Sequence, residues 1–144
     1  MMSKALIAKA AITINAPTSE TWEAITNPEF IKQYLFGADV ITDWKEGSPI
    51  NYTGIYQGKV YEDKGIVLKV EPEKLLLITH WSPLSGSEDS PENYHQVRYD
   101  LAAEKGNTHL TITQDNNATK EEQEQNSDFW KTVLSGLKKL LEGG

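Results

Sequence analysis

Three histidines, one arginine and six tyrosines are the side chains of this 144-residue chain best suited to proton transfer or ligand orientation. His80 ends the apolar run Leu75-Leu76-Leu77-Ile78-Thr79, and His95 precedes Gln96-Val97-Arg98-Tyr99-Asp100-Leu101. Alternate side chains of a strand share a face. Inward Leu76 and Ile78 therefore carry His80 inward, and inward Val97, Tyr99 and Leu101 carry His95 inward. Gln114 follows Leu110 and Ile112 in the same way. With Tyr52 and Tyr56, these groups are expected to line a chamber beneath Phe129, Trp130, Val133 and Leu134. An apolar pocket with a few convergent polar groups is the usual form of a small-molecule site. An imidazole titrates near neutrality, so His80 and His95 are also the candidate general acid or base. The competing expectation is that both are hydrogen-bonded sheet histidines with no part in chemistry. Trp130, at the start of a helical stripe, reads as a core residue as well as a chamber wall.

Other chemistries lack their residues. His109 alternates with Leu110 and so faces away from His80 and His95, which leaves no histidine set to hold a metal. Glu62 and Asp63 are adjacent on a strand and point to opposite faces, which reads as a solvated strand end. Glu121, Glu122 and Glu124 are explained by a helix start. Ser82, Ser85 and Ser87 lie near a histidine, but no G-x-S-x-G elbow surrounds them. Gly54, Gly58 and Gly65 form neither a phosphate loop nor a dinucleotide fingerprint. Without cysteine there is no thiolate nucleophile, disulfide or Cys-based zinc site.

The elements that must position these residues follow from periodicity. Residues 5–14 alternate as a strand with Ala8, Ala10, Ile12 and Ile14 on one face. Thr18 is the expected N-cap of a short helix carrying Trp22 and Ile25, and Asn27-Pro28 caps a second. Gly37 is its expected C′ residue. Residues 38–43 form a short strand. A strand with Ile50, Tyr52, Gly54 and Tyr56 on one face follows, then another over 59–70 with a bulge or kink expected at Asp63-Lys64-Gly65. Residues 75–81 form an apolar strand, and 94–103 and 108–115 a hairpin. Between them, the acidic segment 82–93 is rich in Ser, Pro and Gly and is expected to be a mobile loop over an opening. Residues 119–142 close the chain as a long amphipathic helix. Thr119 and Glu122 form its capping box, and Phe129, Trp130, Val133, Leu134, Leu137, Leu140 and Leu141 its apolar stripe.

One hundred and forty-four residues support a single domain, 1–144. A net charge of −7 with scattered lysines gives no footprint for nucleic acid. No apolar run approaches the roughly 20 residues that span a bilayer, and the opening stretch reads as a strand rather than a signal peptide. The expectation is a soluble cytoplasmic protein. Runs of strand with the helices held apart argue α+β.

The order β-α-α-β6-α resembles the helix-grip fold of START and Bet v 1-like proteins. That resemblance implies a curved antiparallel sheet of six to seven strands wrapped around the C-terminal helix, with a cavity between them. Ala16-Pro17, Trp22 and Ala24-Ile25-Thr26-Asn27-Pro28-Glu29 resemble the opening motif of the domain named for the activator of Hsp90 ATPase homologue. Gly65-Ile66-Val67, Glu71-Pro72 and Thr79-His80-Trp81 resemble its central strands. His80-Trp81-Ser82-Pro83-Leu84-Ser85-Gly86, Pro91-Glu92-Asn93-Tyr94-His95, Gln114-Asp115-Asn116-Asn117, and Trp130 with Leu137-Lys138 resemble one bacterial subgroup of it. The function expected first is binding of a small hydrophobic or aromatic molecule (lipid-, isoprenoid- or polyketide-like), with no cofactor. The alternatives are a cyclase- or dehydratase-like enzyme using His80 or His95, and a protein-interaction module with a chaperone partner.

Overall fold

A computed structural model describes residues 6–143; the Ala5 end of the expected first strand lies outside them. The elements are β1 (Ala8–Ile14), α1 (Thr18–Thr26), α2 (Pro28–Tyr34), β2 (Asp39–Ile41), β3 (Pro49–Tyr56), β4 (Lys59–Glu71), β5 (Leu75–His80), β6 (His95–Glu104), β7 (Asn107–Gln114) and α3 (Lys120–Leu141). The strands form one antiparallel sheet in the order β1-β7-β6-β5-β4-β3-β2. The fold is α+β, with seven strands and α3 on the inner face of the sheet.

The core is built by alternation on the strands meeting a helical stripe. Ala10, Ile14, Val67, Leu76, Ile78, Val97, Leu101, Leu110 and Ile112 pack with Trp130, Val133, Leu134 and Leu137 of α3. The helix is fixed at its start by the capping box: Thr119 Oγ1 accepts from Glu122 N at 3.0 Å. The Glu122 carboxylate reaches back to Ala118 N at 2.6 Å, one residue before the cap. Glu121 and Glu122 in its first turn and Lys138 and Lys139 in its last complement the dipole.

The side chains of α3 also run along the free edge of β1. Gln123 Nε2 donates to Ile7 O (2.8 Å) and Ser127 Oγ accepts from Lys9 N (3.2 Å). Further along, Lys138 Nζ donates to Thr13 O (2.9 Å), and Glu142 accepts from Asn15 N (2.7 Å). These backbone groups belong to odd-numbered residues, the ones β7 leaves unpaired.

Four local expectations change. Thr18 begins α1 but does not cap it; Pro17 holds the cap position and the Thr18 hydroxyl donates to Glu73 instead. After α2, the left-handed position falls on Phe36 (φ 55°) as well as Gly37, and exposed Phe36 sits against Phe129. The β3–β4 ladder runs unbroken through Asp63, Lys64 and Gly65; the irregularity lies between Val67 and Lys69 on the β5 side. Gly65 answers a different need, since a Cβ there would fall 1.8 Å from the Thr79 carbonyl oxygen.

The fourth change concerns the segment between β5 and β6. It forms two 3-10 turns, Pro83–Ser85 and Pro91–Asn93, and lies across the outer face of the sheet. Alternation explains this: Gly65, His80 and His95 point inward, so Lys64, Trp81 and Tyr94 point outward. Lys64 pairs with Asp89 and stands 5.9 Å over the Trp81 ring; Trp81 stacks on Tyr94, whose hydroxyl donates to Asp89 at 2.6 Å. That arrangement anchors the segment on the side of the sheet away from α3.

Candidate functional site

The inner face brings together residues from four strands and a helix. Tyr52 of β3 stands opposite Asp63 of β4 in the ladder, so both project from the same side. His80, at the end of β5, donates or accepts through Nε2 to Asp63 Oδ2 at 3.0 Å, and its ring meets the Tyr52 ring edge-on at 5.8 Å. With Asp63 ionised, the bond requires a proton on His80 Nε2. Asp63 Oδ1 is buried and has no hydrogen-bond partner among the described residues.

Tyr99 of β6 comes from a strand three places away from β3 in the sheet. Burial pushes the Tyr99 phenol above its ordinary value, and burial followed by the fields of Tyr99, Tyr34 and Asp63 raises the Tyr52 phenol well above its own. Tyr34 of α2 is raised by burial and then by Tyr99, and its hydroxyl donates to Ala24 O at 2.9 Å. Neither Tyr52 nor Tyr99 has a hydrogen-bond partner for its hydroxyl among the described residues. Both rings keep part of their surface accessible although their phenols are desolvated. Tyr52 and Tyr99 thus stand at the border between the packed core and accessible surface.

The other expected residues divide. Trp130 Nε1 donates to Gln114 Oε1 at 2.7 Å, both side chains being buried, so each polar group satisfies the other. Tyr99 meets the Trp130 ring edge-on at 6.2 Å. Val133 and Leu134 are fully buried against the sheet. His95 lies opposite His80 in the ladder, on the same face, but its bonds run toward β7 and α3. Its Nδ1 donates to Asp115 O at 2.7 Å and Nε2 faces Glu122 at 4.0 Å, which ties the end of β6 to the start of α3. Tyr56 pairs with Lys59 at the tip of the β3–β4 hairpin and is 54% exposed, because β3 has run beyond the reach of the helix. Phe129 lies at the rim, 38% exposed, between Phe36 and Trp130. His109 bonds Thr13 on the outer side.

Asp63 corrects the reading of Glu62-Asp63 as a solvated strand end. Glu62 is exposed and bonds Asn51, whereas Asp63 turns inward. The signal was present: counting back in twos from apolar Val67 through Gly65 reaches Asp63. Tyr34 falls on the apolar side of α2 with Phe30, Ile31 and Leu35, as the sequence indicates, but nothing in that 7-residue helix ties it to the tyrosines of the sheet.

Two open concavities lie elsewhere. One, of 630 Å³, is on the outer face between Asn51, Lys64, Ile66 and Thr79 and the segment carrying Pro91 and Tyr94. The other, of 300 Å³, lies between α1 and Leu141. Neither is bounded by Tyr52 or Tyr99. Among the described residues no cluster of His, Asp and Glu is arranged to hold a metal, and no helix is long and apolar enough to cross a membrane.

Comparison with known proteins gives the arrangement a lineage. The solution structure of ChR145 from Cytophaga hutchinsonii is 49% identical, with a TM-score of 0.86, covering 99% of this chain and 97% of that one. The Aha1 dimer from Colwellia psychrerythraea shares the fold at 21% identity and TM-score 0.73, over 94% of this chain and 96% of that one. CalU16 from Micromonospora echinospora does so at 21% identity and TM-score 0.70, over 95% and 82%. No curated protein matches the sequence. The sequence profile described as Activator of Hsp90 ATPase homolog 1-like protein matches residues 15–142, and the chain belongs to that family.

Proposed function

We propose that this protein binds a small hydrophobic or aromatic molecule between the inner face of its sheet and α3. One observation carries the reading: Asp63 Oδ1, beside Tyr52 and His80 on the inner face of the sheet, is buried with no hydrogen-bond partner among the described residues. Buried polar groups are ordinarily paired, and an unpaired one costs about 1–3 kcal/mol. On this reading that atom, with the Tyr52 and Tyr99 rings nearby, borders the recess that holds the ligand. Trp130 and Gln114 form its wall, and their polar groups are already satisfied by each other.

The test is a screen by amide chemical shift, using fatty acids, flavonoid-like rings and isoprenoids. Shifts clustered on Tyr52, Asp63, His80 and Tyr99 are expected. An unchanged spectrum across all three classes would overturn the reading.

The Asp63–His80 pair supports a second reading, a cyclase- or dehydratase-like enzyme. A carboxylate that orients an imidazole also stabilises the imidazolium formed when His80 takes a proton. On that reading His80→Asn abolishes turnover of a cyclic ketone substrate while binding persists; turnover unaffected by the change would exclude it. A protein-docking reading has less support. Exposed Ile55 and Val60 pair at the tip of the β3–β4 hairpin, but Asn51, Thr53, Glu62 and Lys64 separate them from Ile41 and Ile66 on the outer face.

A further inference from the structure

The seam between β4 and β5 is interrupted where the Asp63–His80 pair lies. The regular ladder ends at Val67–Ile78. Beyond it, the Ile66 N–H donates to the Thr79 hydroxyl oxygen at 2.8 Å rather than to a β5 carbonyl. The strands meet again at Lys64 and Trp81, an isolated bridge of two backbone bonds of 3.0 and 2.8 Å. Asp63 immediately precedes Lys64, and His80 immediately precedes Trp81. The side chains that His80 meets, Asp63 on β4 and Tyr52 on β3, stand across this seam from it. How tightly the seam is shut therefore sets the distance from imidazole to carboxylate.

The groups that shut it are on the outer face. Lys64 pairs with Asp89 and stands over the Trp81 ring, Trp81 stacks on Tyr94, and the Trp81 indole N–H donates to Ser87 Oγ at 3.2 Å. Asp89 and Ser87 belong to residues 82–93, so that segment grips one residue from each side of the bridge. The rest of its seat is loose. A concavity of 630 Å³ lies between Pro91 and Tyr94 on one side and Ile66 and Thr79 on the other, and neither turn of the segment contains a buried residue. It can leave the sheet without exposing core, and such segments open at the least cost in free energy. We infer that residues 82–93 are a clamp on the Asp63–His80 pair. Docked, they hold β4 to β5 at Lys64 and Trp81 and keep His80 on Asp63. Released, they let the seam open and the pair part. Strand alternation puts grip and pair on opposite faces one residue apart, so the bridge itself carries the coupling. The clamp acts with or without a ligand in the interior.

The test uses the whole chain, labelled with nitrogen-15 in the backbone and the histidine rings. Asp89→Asn with Tyr94→Phe removes the ion pair and the hydroxyl bond that hold Asp89. Trp81→Leu, a separate variant, removes the ring stack and the indole bond but leaves both backbone bonds of the bridge possible. In each, amide exchange at Lys64 and Trp81 is expected to rise roughly three- to tenfold together with that of residues 82–93, the return on losing one or two surface contacts. The His80 ring nitrogens are expected to shift toward those of an imidazole without a carboxylate partner. The Ile78 amide, inside the ladder, and the His95 ring, held by Asp115 O, are expected to stay as they are. Faster exchange in residues 82–93 with the Lys64 and Trp81 amides and the His80 ring unchanged overturns the clamp. So does a segment that stays protected in both variants, and so does a shift of His80 and His95 together, which is general loosening.

Discussion

Trp130→Phe tests whether the wall of the recess is held by the indole–amide bond. In the structure Trp130 Nε1 donates to Gln114 Oε1 at 2.7 Å, and each residue is 7% exposed. The substitution leaves the Gln114 carbonyl oxygen without a donor, at about 1–3 kcal/mol. It also removes part of a buried ring, which adds roughly 1–2 kcal/mol for incomplete collapse of the gap. Gln114→Met strands the indole N–H instead, at about 1–3 kcal/mol, with little change of shape. If the bond is the shared cause, the double variant does not suffer both losses. The two single costs should then overshoot the double by about 1–2 kcal/mol. Urea unfolding of the four proteins, with m-values checked for constancy, measures that difference directly. Costs that add to within about 0.3 kcal/mol would refute the reasoning, because the two side chains would then be acting independently. A positive result also bears on the ligand site, since it removes Trp130 and Gln114 from the groups left over to hold a ligand.

Other predictions follow from particular contacts. Gly65→Ala places a methyl 1.8 Å from the Thr79 carbonyl, so β4 and β5 must separate. A loss of about 3 kcal/mol, the upper end of overpacking costs, is expected by chemical denaturation; an unchanged midpoint would contradict the close approach. Thr119→Ala removes the acceptor for Glu122 N and should cost about 1 kcal/mol in the same assay. The Tyr34, Tyr52 and Tyr99 phenols are raised in the folded state above the ordinary value of 10.0. Unfolded, they lose protons first, so stability is intact below about pH 10 and falls as pH rises toward the folded values. Phenolate absorbance from these three should appear together with unfolding; their ionisation in a folded protein would refute their burial. Asp89 is held below its ordinary value by Lys64 and then by the Tyr94 hydroxyl, so its contribution is present above the usual carboxylate range and lost as pH falls through the folded value. Acid, or Asp89→Asn at neutral pH, is expected to speed amide exchange across residues 82–93 while leaving β6 and β7 protected.

The architecture was readable because its signals are long and redundant. The 22-residue α3 carries a capped acidic start and an apolar stripe from Phe129 to Leu141, and the β6–β7 hairpin alternates cleanly from Val97 to Gln114. Cap chemistry fixed Thr119 and Asn27 for the same reason: one hydroxyl or amide oxygen, one backbone N–H, no tertiary contingency. The site was less legible. His80, Tyr52 and Tyr99 came out of alternation alone, whereas the partner of His80 sits 17 residues away on another strand, and only the sheet register joins them. Tyr56 obeys the same alternation as Tyr52 but lies past the end of the helix, and no local pattern records where a helix stops covering a sheet. The side of the sheet taken by residues 82–93 was fixed by Lys64 and Asp89, a pairing between segments that composition could not reveal.

The bonds between α3 and β1 make the two ends of the sheet unequal in the face of other chains. An open edge strand is a template for strand addition and for ordered aggregation. At β1 that template is occupied by Gln123, Ser127, Lys138 and Glu142, so an incoming strand would have to displace a helix. The opposite end is guarded only by the 3 residues of β2, and β3 continues past it with Ile55 in the open. Misassembly of this protein should therefore grow from the β2–β3 end, and loss of the last turn of α3 would free the Thr13 and Asn15 end of β1 as well.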